Sequence, residues 1–471
     1  MMWNFKSYAT KEALHTKERT YSYRDLDRMQ EKFSSLLQQR SLVCIGMENK
    51  LGCFVAYISC IQNGHVPILL PAGSDRSYWQ TIIKKYKPRY LVGKCELTDE
   101  YVAKAEIYGC TIWERCHHYE VNMNQKLALL LPTSGSTQSP KMVRICYDNL
   151  RSNTESICEY MSLDEKDCSI TSLPLSYTYG LSVVNTLLWV GGRLVLTEDS
   201  VMQSSFWCDM NQYGVTMLAG VPYTYLCMKK LGIHISKYRD LRLLTQAGGK
   251  LSDLLQEFWG KEAQNNGKSF LIMYGQTEAT ARISYLPAKE CLRKIGSVGI
   301  PIPKTEVCLQ DEKGLPIKES SRLGEIVSKG AHISMGYAES FQDLRKGDEN
   351  AGELPTGDMG YWDEEGYLYI AGRKSRFAKI YGKRINLDDI EKLLRDDYEG
   401  EIAVISDDER IYVLTEEEQI GQEREELCCK VGLPHQCVKV KRVTSIPRKE
   451  NGKIDYMKIK EELNCDGYEN K

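Results

Sequence analysis

Along the first half of the chain, short apolar runs alternate with stretches in which apolar positions recur every three or four residues. "KLGCFVAYISCIQNG" is followed by "HVPILLP", and the apolar run Met142, Val143 and Ile145 is followed by "LRSNTESICEYM". In that last stretch Leu150, Asn153, Thr154, Ile157, Cys158 and Met161 fall at helical spacing. The short runs predict buried strands and the periodic stretches predict the helices between them, so the pattern points to doubly wound α/β sheets.

From about residue 296 the texture changes to alternating runs punctuated by turns: "VCLQDEKGLPI", "GEIVSKG" and "GYWDEEGYLYIAG". The pairs joined through "DEKG" and "DEEG" predict hairpins of a small β subdomain. After "AGRKSR" the pattern resets with a strand, "FAKIY", and then a helix, "NLDDIEKLLRD", where Asn386 can cap and Asp389 completes a capping box. Strands "IAVIS", "IYVLTE" and "CVKVKRV" follow, with a helical stretch between them. The segments predict a large domain, 1–374, and a small one, 375–471.

Length and charge narrow the function. At 471 residues the chain exceeds one hydrophobic core, and its 62 basic and 64 acidic residues give no electrostatic footprint for nucleic acid or an anionic membrane. No apolar run is long enough to span a bilayer and the first residues lack a secretory h-region, so a cytoplasmic location is expected. The seventeen cysteines are scattered and read as reduced core residues. In "CTIWERCHH", Cys110, Cys116, His117 and His118 lie close together, but adjacent histidines and the absence of a second cysteine pair argue for a surface or half-buried segment over a zinc site.

"TSGSTQSPK", residues 133–141, places five hydroxyls between the apolar runs Leu129 to Leu131 and Met142 to Ile145. Hydroxyls and backbone N–H groups beside glycine, with a lysine at the rim, suit phosphate oxygens. The Walker A pattern fails: the second glycine is Pro140, and Met142 stands where a hydroxyl residue should follow the lysine. Downstream, "MYGQTEAT" offers an aromatic face, a hydroxyl and a carboxylate, "PTGDMGY" a carboxylate suited to ribose hydroxyls, "AGRKSR" an arginine, and "IPRKENGKIDY" a lysine on a turn.

In order and content these motifs resemble, over nearly the whole chain, the adenylate-forming superfamily of acyl-CoA synthetases, nonribosomal-peptide adenylation domains and luciferases. The resemblance implies an α/β fold with two doubly wound subdomains and a small β-barrel-like subdomain, followed by a small mobile α+β domain. It also implies ATP-dependent activation of a carboxylic acid to an acyl-adenylate with release of pyrophosphate, then transfer to a thiol. By that resemblance Thr133, Ser134, Gly135, Ser136, Thr137 and Lys141 hold the ATP phosphates, Glu278 binds Mg2+ and Thr277 contacts the α-phosphate. Ala247, Gly248 and Gly249 face the adenine, Tyr274 with Gly275 stacks on it, and Asp358 takes the ribose hydroxyls beside Arg373. Lys453 is the mobile lysine of adenylation, Lys379 lies on the opposite face of the small domain, and Ser375 is the hinge.

Two positions depart from the family pattern, Ser375 where Asp or Lys is usual and Gln138 where Gly is usual. "LPLSYTYGLS" holds no carboxylate to pair with an amino acid's ammonium, which favours a simple acyl or aryl acid. Tyr177, Tyr179, Val221, Pro222, Gln246 and Arg282 are expected to line its pocket; Arg282 either meets a polar or acidic tail or forms a surface salt bridge. Coenzyme A and the phosphopantetheine of an acyl or peptidyl carrier protein are both open as acceptors. A ligase using a non-thiol acceptor and a catalytically silent nucleotide-binding scaffold are the alternatives.

Overall fold

The computed structural model describes residues 2–94, 99–117, 119–132, 141–380, 383–397, 401–407, 410–416, 437–448 and 454–465. The chain forms two compact units, Met1–Val307 with Ser328–Leu354, and Cys308–Val327 with Pro355–Lys471. This division by packing is distinct from the expected 374/375 domain boundary.

In the first unit, the strand Leu42–Met47 lies parallel to Val66–Pro71 on one side and Tyr90–Gly93 on the other, and the helices Leu51–Asn63 and Arg76–Tyr86 make the crossovers. Successive strand side chains point to opposite faces. Val43 and Ile45 therefore join the cluster of Phe54, Val55 and Ile58 from the first helix, whereas Leu42 and Cys44 join Trp79, Ile82 and Ile83 from the second. Helices cover both faces, which is why the strands read as continuous apolar runs.

A second sheet sets Cys168–Ile170, Met217–Gly220, Leu243–Gln246 and Ser269–Tyr274 parallel, extended antiparallel by Ser284–Leu286 and Ser297–Pro301. One apolar cluster joins the sheets: it contains Ile45, Leu129 and Leu131 of the first, Met217, Leu243 and Met273 of the second, and Leu150, Ile157, Leu181 and Val184 of the helices Tyr147–Met161 and Thr178–Val190. Each such side chain contributes about 1.5–3 kcal/mol on full burial.

The segment "CTIWERCHH" is mostly strand and, as expected, mostly half-buried or exposed, with Cys110 and Ile112 buried. Cys110–Arg115 pairs antiparallel with both Tyr90–Gly93 and Tyr101–Ile107, through a two-residue turn in which Tyr108 (φ 52°) and Gly109 (φ 76°) both have positive φ, the requirement of a tight hairpin. Cys110 is buried, Cys116 and His117 are exposed, and His118 lies outside the described residues. The described cysteines are free and most of them buried. Among the described residues no helix is long and apolar enough to cross a membrane.

The second unit holds the predicted hairpins. Leu309 pairs with Ile317 across "DEKG", and Glu353–Trp362 pairs with Leu368–Arg373 across "DEEG". Both turns use the same device: the aspartate accepts from two following amides, Asp311 from Lys313 and Leu315, Asp363 from Glu365 and Tyr367. Beyond them come the hairpin Phe377–Ile380 with Lys383–Asn386, the helix Leu387–Asp397 and the three-stranded sheet Ile402–Ser406, Ile411–Thr415 and Val438–Arg442, whose core includes Leu387, Ile390, Val404 and Val413. The expected Asn386 and Asp389 capping contacts and the helical stretch before Cys437 fall outside the described atoms.

Candidate active site

The expected polar loop joins two buried antiparallel strands, Leu127–Pro132 and Met142–Cys146. Thr133, Ser134, Gly135, Ser136, Thr137 and Gln138 lie outside the described residues, as does Lys453. Lys141, at the loop's far end, is described. On the outer side of Met142–Cys146 the chain adds a two-residue strand, Tyr337–Ala338, with Tyr337 opposite Val143 and Ala338 opposite Met142. That short strand brings two of the expected residues together. Lys141 Nζ pairs with Glu339 Oε1 at 2.7 Å, and the Tyr337 hydroxyl donates to Glu278 Oε1 at 2.8 Å. The ammonium holds the Glu339 carboxyl below its usual range. Both contacts are solvent-exposed, so they contribute little to stability and are open to exchange for a ligand.

The short strand is fixed from behind by Arg144, a fully buried side chain. Its guanidinium donates to the carbonyls of Met335 (2.7 Å), Tyr337 (3.1 Å), Lys346 (2.8 Å) and Gly347 (3.0 Å) and to Glu349 Oε2 (2.6 Å). Asn149 adds two bonds, to the carbonyls of Ala331 and Ile333. Glu278 and Thr277 lie in the turn Thr277–Ala279, itself tied to the same segment: Ser334 N–H donates to the Glu278 carbonyl at 2.9 Å, and Thr280 Oγ1 to the His332 carbonyl at 2.6 Å. Thr280 sits at φ 63°, ψ −53°, an uncommon conformation for a β-branched residue that these bonds hold in place. Gly275 is required on steric grounds, since a Cβ there would lie 1.9 Å from the Ala281 carbonyl oxygen.

The expected pocket residues form a second group. Gly248 has φ +86° and a Cβ on it would lie 2.4 Å from the Tyr177 hydroxyl and 3.3 Å from Val221 Cγ1; a Cβ on Gly249 would meet Pro222 at 3.3 Å. Gln246, fully buried, donates through Nε2 to the Gly249 carbonyl at 2.9 Å, while its Oε1 has no partner. Ala247 and Tyr274 are buried at the ends of neighbouring strands. The Tyr179 hydroxyl is anchored on Thr245 at 2.8 Å, and the Arg282 guanidinium stacks 4.2 Å from the Tyr179 ring centre. Arg282 is 2 % exposed and makes no ion pair among the described residues, which rules out the surface salt bridge considered from sequence.

In the second unit Asp358 and Arg373 face each other across their hairpin and pair at 2.7 Å (Oδ1 to Nε). Asp358 is buried and Arg373 half-exposed. Ser375 occupies the helical turn Lys374–Arg376 and Lys379 the strand Phe377–Ile380; only their backbones are described. Tyr337 and Glu339 were not anticipated, because a two-residue strand leaves no periodicity to read, and Arg144 was not, because its partners lie 191 to 205 residues away in sequence.

These groups fit the expected ligands. No set of three or more His, Cys, Asp or Glu side chains gathers as a metal cage among the described residues, and the one half-buried carboxylate of Glu278 matches the way magnesium binds through one or two carboxylates completed by phosphate oxygens. The buried Gln246 oxygen has no partner among the described residues, which leaves an acceptor for a ligand's donor group, and the Tyr177 hydroxyl fills the space a Cβ on Gly248 would need.

Residues 2–338 match the family model of the AMP-binding enzymes. The chain belongs to the AMP-binding enzyme family. Its similarity to an oxalate–CoA ligase of Arabidopsis thaliana is 31 % identity over 282 residues, 58 % of this chain and 53 % of that protein, so the match spans about half of that relative's length. A 2-succinylbenzoate–CoA ligase of Listeria monocytogenes is 28 % identical over 350 residues, 71 % of this chain and 70 % of that one. Among solved AMP-binding structures, the O-succinylbenzoate coenzyme A synthetase of Bacillus subtilis in complex with AMP superposes with a TM-score of 0.77 at 21 % identity, covering 95 % of each chain. The fold is thus the α/β architecture expected from sequence, a large N-terminal part followed by a small C-terminal one.

Proposed function

We propose that this protein activates a carboxylic acid with ATP and Mg2+, releasing pyrophosphate, and passes the acyl group from the acyl-adenylate to the thiol of coenzyme A with release of AMP. The observation that carries the reading is the convergence of Lys141 and Glu278 on the segment Tyr337 to Glu339, beside the strand Met142–Cys146 that follows the hydroxyl-rich stretch in sequence. In the first step a carboxylate oxygen attacks the α-phosphorus and the bond to pyrophosphate breaks. An anion approaches a polyanion there, so fixed cations aimed at the phosphates supply most of the rate.

In this reading Lys141 and the loop Thr133 to Thr137 hold the β- and γ-phosphates, and Thr277 contacts the α-phosphate. Glu278 would hold a magnesium ion, which would supply positive charge to the phosphate oxygens. Ala247, Gly248, Gly249, Tyr274 and Gly275 receive the adenine, and Asp358 with Arg373 the ribose. Lys453 bridges the acid and the α-phosphate, Ser375 is the hinge of a domain 375–471, and Lys379 belongs to the thioester-forming half-reaction. The names of the two curated relatives support coenzyme A over a carrier protein as acceptor. We place the protein in the cytoplasm.

ATP–pyrophosphate exchange across a panel of fatty, aryl, hydroxy and dicarboxylic acids tests the reading: at least one acid drives exchange, and silence from all of them refutes it. Lys453→Ala is expected to lose exchange by about 100-fold or more, the scale of one preorganised charge. The same variant still converts a supplied acyl-adenylate and coenzyme A to thioester; if both half-reactions run at wild-type rates, Lys453 has been misassigned.

A further inference from the structure

We infer that the acid activated at this site carries a second anionic group, a carboxylate or sulfonate at the end remote from the reacting carboxylate, and that Arg282 is the specificity residue that pairs with it. The inference rests on the adenylation reading of the same site. It comes from comparing the two fully buried arginines in the described core, Arg144 and Arg282. The Arg144 guanidinium has four carbonyls and a carboxylate around it, all within 3.1 Å. Among the described residues Arg282 donates three hydrogen bonds, each long at 3.3 Å: Nε to the Met273 sulfur, Nη1 to the Ala281 carbonyl and Nη2 to Ser182 Oγ.

A guanidinium keeps its charge at any physiological pH and presents five N–H donors, so burying it without a counter-ion is costly. The Tyr179 ring face offsets part of that cost. It supplies no acceptor in the plane of the donors.

The neighbourhood is poor in acceptors. The Tyr160 hydroxyl lies against the same guanidinium as a neutral acceptor and donates in turn to the Met273 sulfur, at 3.1 Å, so every acceptor offered here is uncharged and the thioether is a weak one shared by two donors. The Ser182 hydroxyl already donates to the Tyr179 carbonyl at 2.7 Å, and among the described residues no carboxylate reaches Arg282. Burial with surplus donors is the arrangement of a site built for an anion that arrives with a ligand.

The ligand's position follows from the lining. Arg282 stacks on Tyr179, which lies edge-on to Tyr177, whose hydroxyl rests against Gly248. These are the residues expected around the acyl group, whereas the phosphate-loop end carries its own cation, Lys141. A site of this kind discriminates strongly, because an acid lacking the second charge leaves the buried guanidinium unpaired.

The test is ATP–pyrophosphate exchange with matched acids of one length, each dicarboxylic or carboxy-sulfonic acid beside its mono-methyl ester or ω-amide. The wild-type enzyme is expected to prefer the dianion by about 100-fold in kcat/KM, the scale for a desolvated charge pair. Arg282→Met should collapse that ratio by a similar factor, mainly through KM, and Arg282→Lys should restore part of it. Wild-type exchange with the uncharged partners equal to or better than with the dianions overturns the inference and leaves adenylation standing. An equal loss for both members of each pair in Arg282→Met also overturns it. No exchange with any acid overturns the adenylation reading, and this inference with it. If Arg282→Met does not fold by thermal melting, the wild-type ratio and Arg282→Lys decide the matter.

Discussion

Replacing Arg144 by methionine tests whether the two-residue strand Tyr337–Ala338 is held from behind. The substitution keeps most of the apolar stem and removes every donor. Met335 and Lys346 each keep a second donor, the Glu349 amide and Asn124 Nδ2, both at 3.1 Å. The carbonyls of Tyr337 and Gly347 lose the guanidinium outright. Glu349 is 48 % exposed, so releasing it to water costs little. Two partly buried carbonyls losing a charged donor at about 1 kcal/mol each, with smaller losses at the other two, give about 2–3 kcal/mol. Native-state hydrogen exchange reads this locally: the Met335 amide donates to the residue 144 carbonyl, and the residue 144 amide to Gly336. Both amides should exchange about 100-fold faster, and adenylation should fall because Tyr337 and Glu339 lose their register beside Glu278 and Lys141. Protection at Met335 within a few-fold of wild type would mean that Arg144 does not hold the strand.

Two further outcomes are expected. Glu278→Gln removes the anionic oxygen and should lower pyrophosphate exchange by about 100-fold while raising the magnesium concentration needed for half-maximal rate; an unchanged magnesium dependence refutes the metal assignment. His65 and His332 are held neutral by burial, each with a pKa lowered from 6.5 to about 4. Because the folded-state pKa is depressed, their contribution is complete above pH 6.5 and lost as pH falls from about 6.5 to about 4, as protons bind the unfolded chain first. About 3 kcal/mol per histidine is at stake. Urea midpoints between pH 7 and pH 4 should fall, and a His65→Gln, His332→Gln double variant should flatten that slope; an unaltered slope in the double variant refutes the attribution.

Much of this architecture is legible in the sequence wherever one period dominates. The runs Leu42 to Met47 and Leu127 to Leu131 are apolar without interruption because helices or strands cover both faces, and Asn153 sits at a core position of its helix because its amide has a buried use, a 3.0 Å bond to the Arg282 carbonyl. The turns "DEKG" and "DEEG" announce hairpins through local chemistry. Other features depend on segments meeting in space. Tyr337 and Glu339 gain meaning only because residues 328–354 return to the edge of Met142–Cys146, and nothing within either segment encodes the meeting. Arg282 was recognisable as a pocket candidate, but its lack of a counter-ion depends on Met273, Ser182 and Tyr160, which come from three different elements. The hairpin at Tyr108 and Gly109 escaped notice because a Tyr-Gly turn lacks the usual Asn-Gly or Asp-Gly signal.

The discontinuity of the first unit has a consequence for how the molecule is made. The strand Met142–Cys146, buried along its length in the finished protein, is a sheet edge until Tyr337–Ala338 arrives to pair with it. At ordinary ribosomal speeds the intervening chain takes about 10 to 40 s to synthesise. Throughout that interval the nascent polypeptide presents an apolar backbone edge able to pair with a neighbour. A chain terminated after Val307 never acquires the covering strand, so it is expected to associate into aggregates where the complete chain folds.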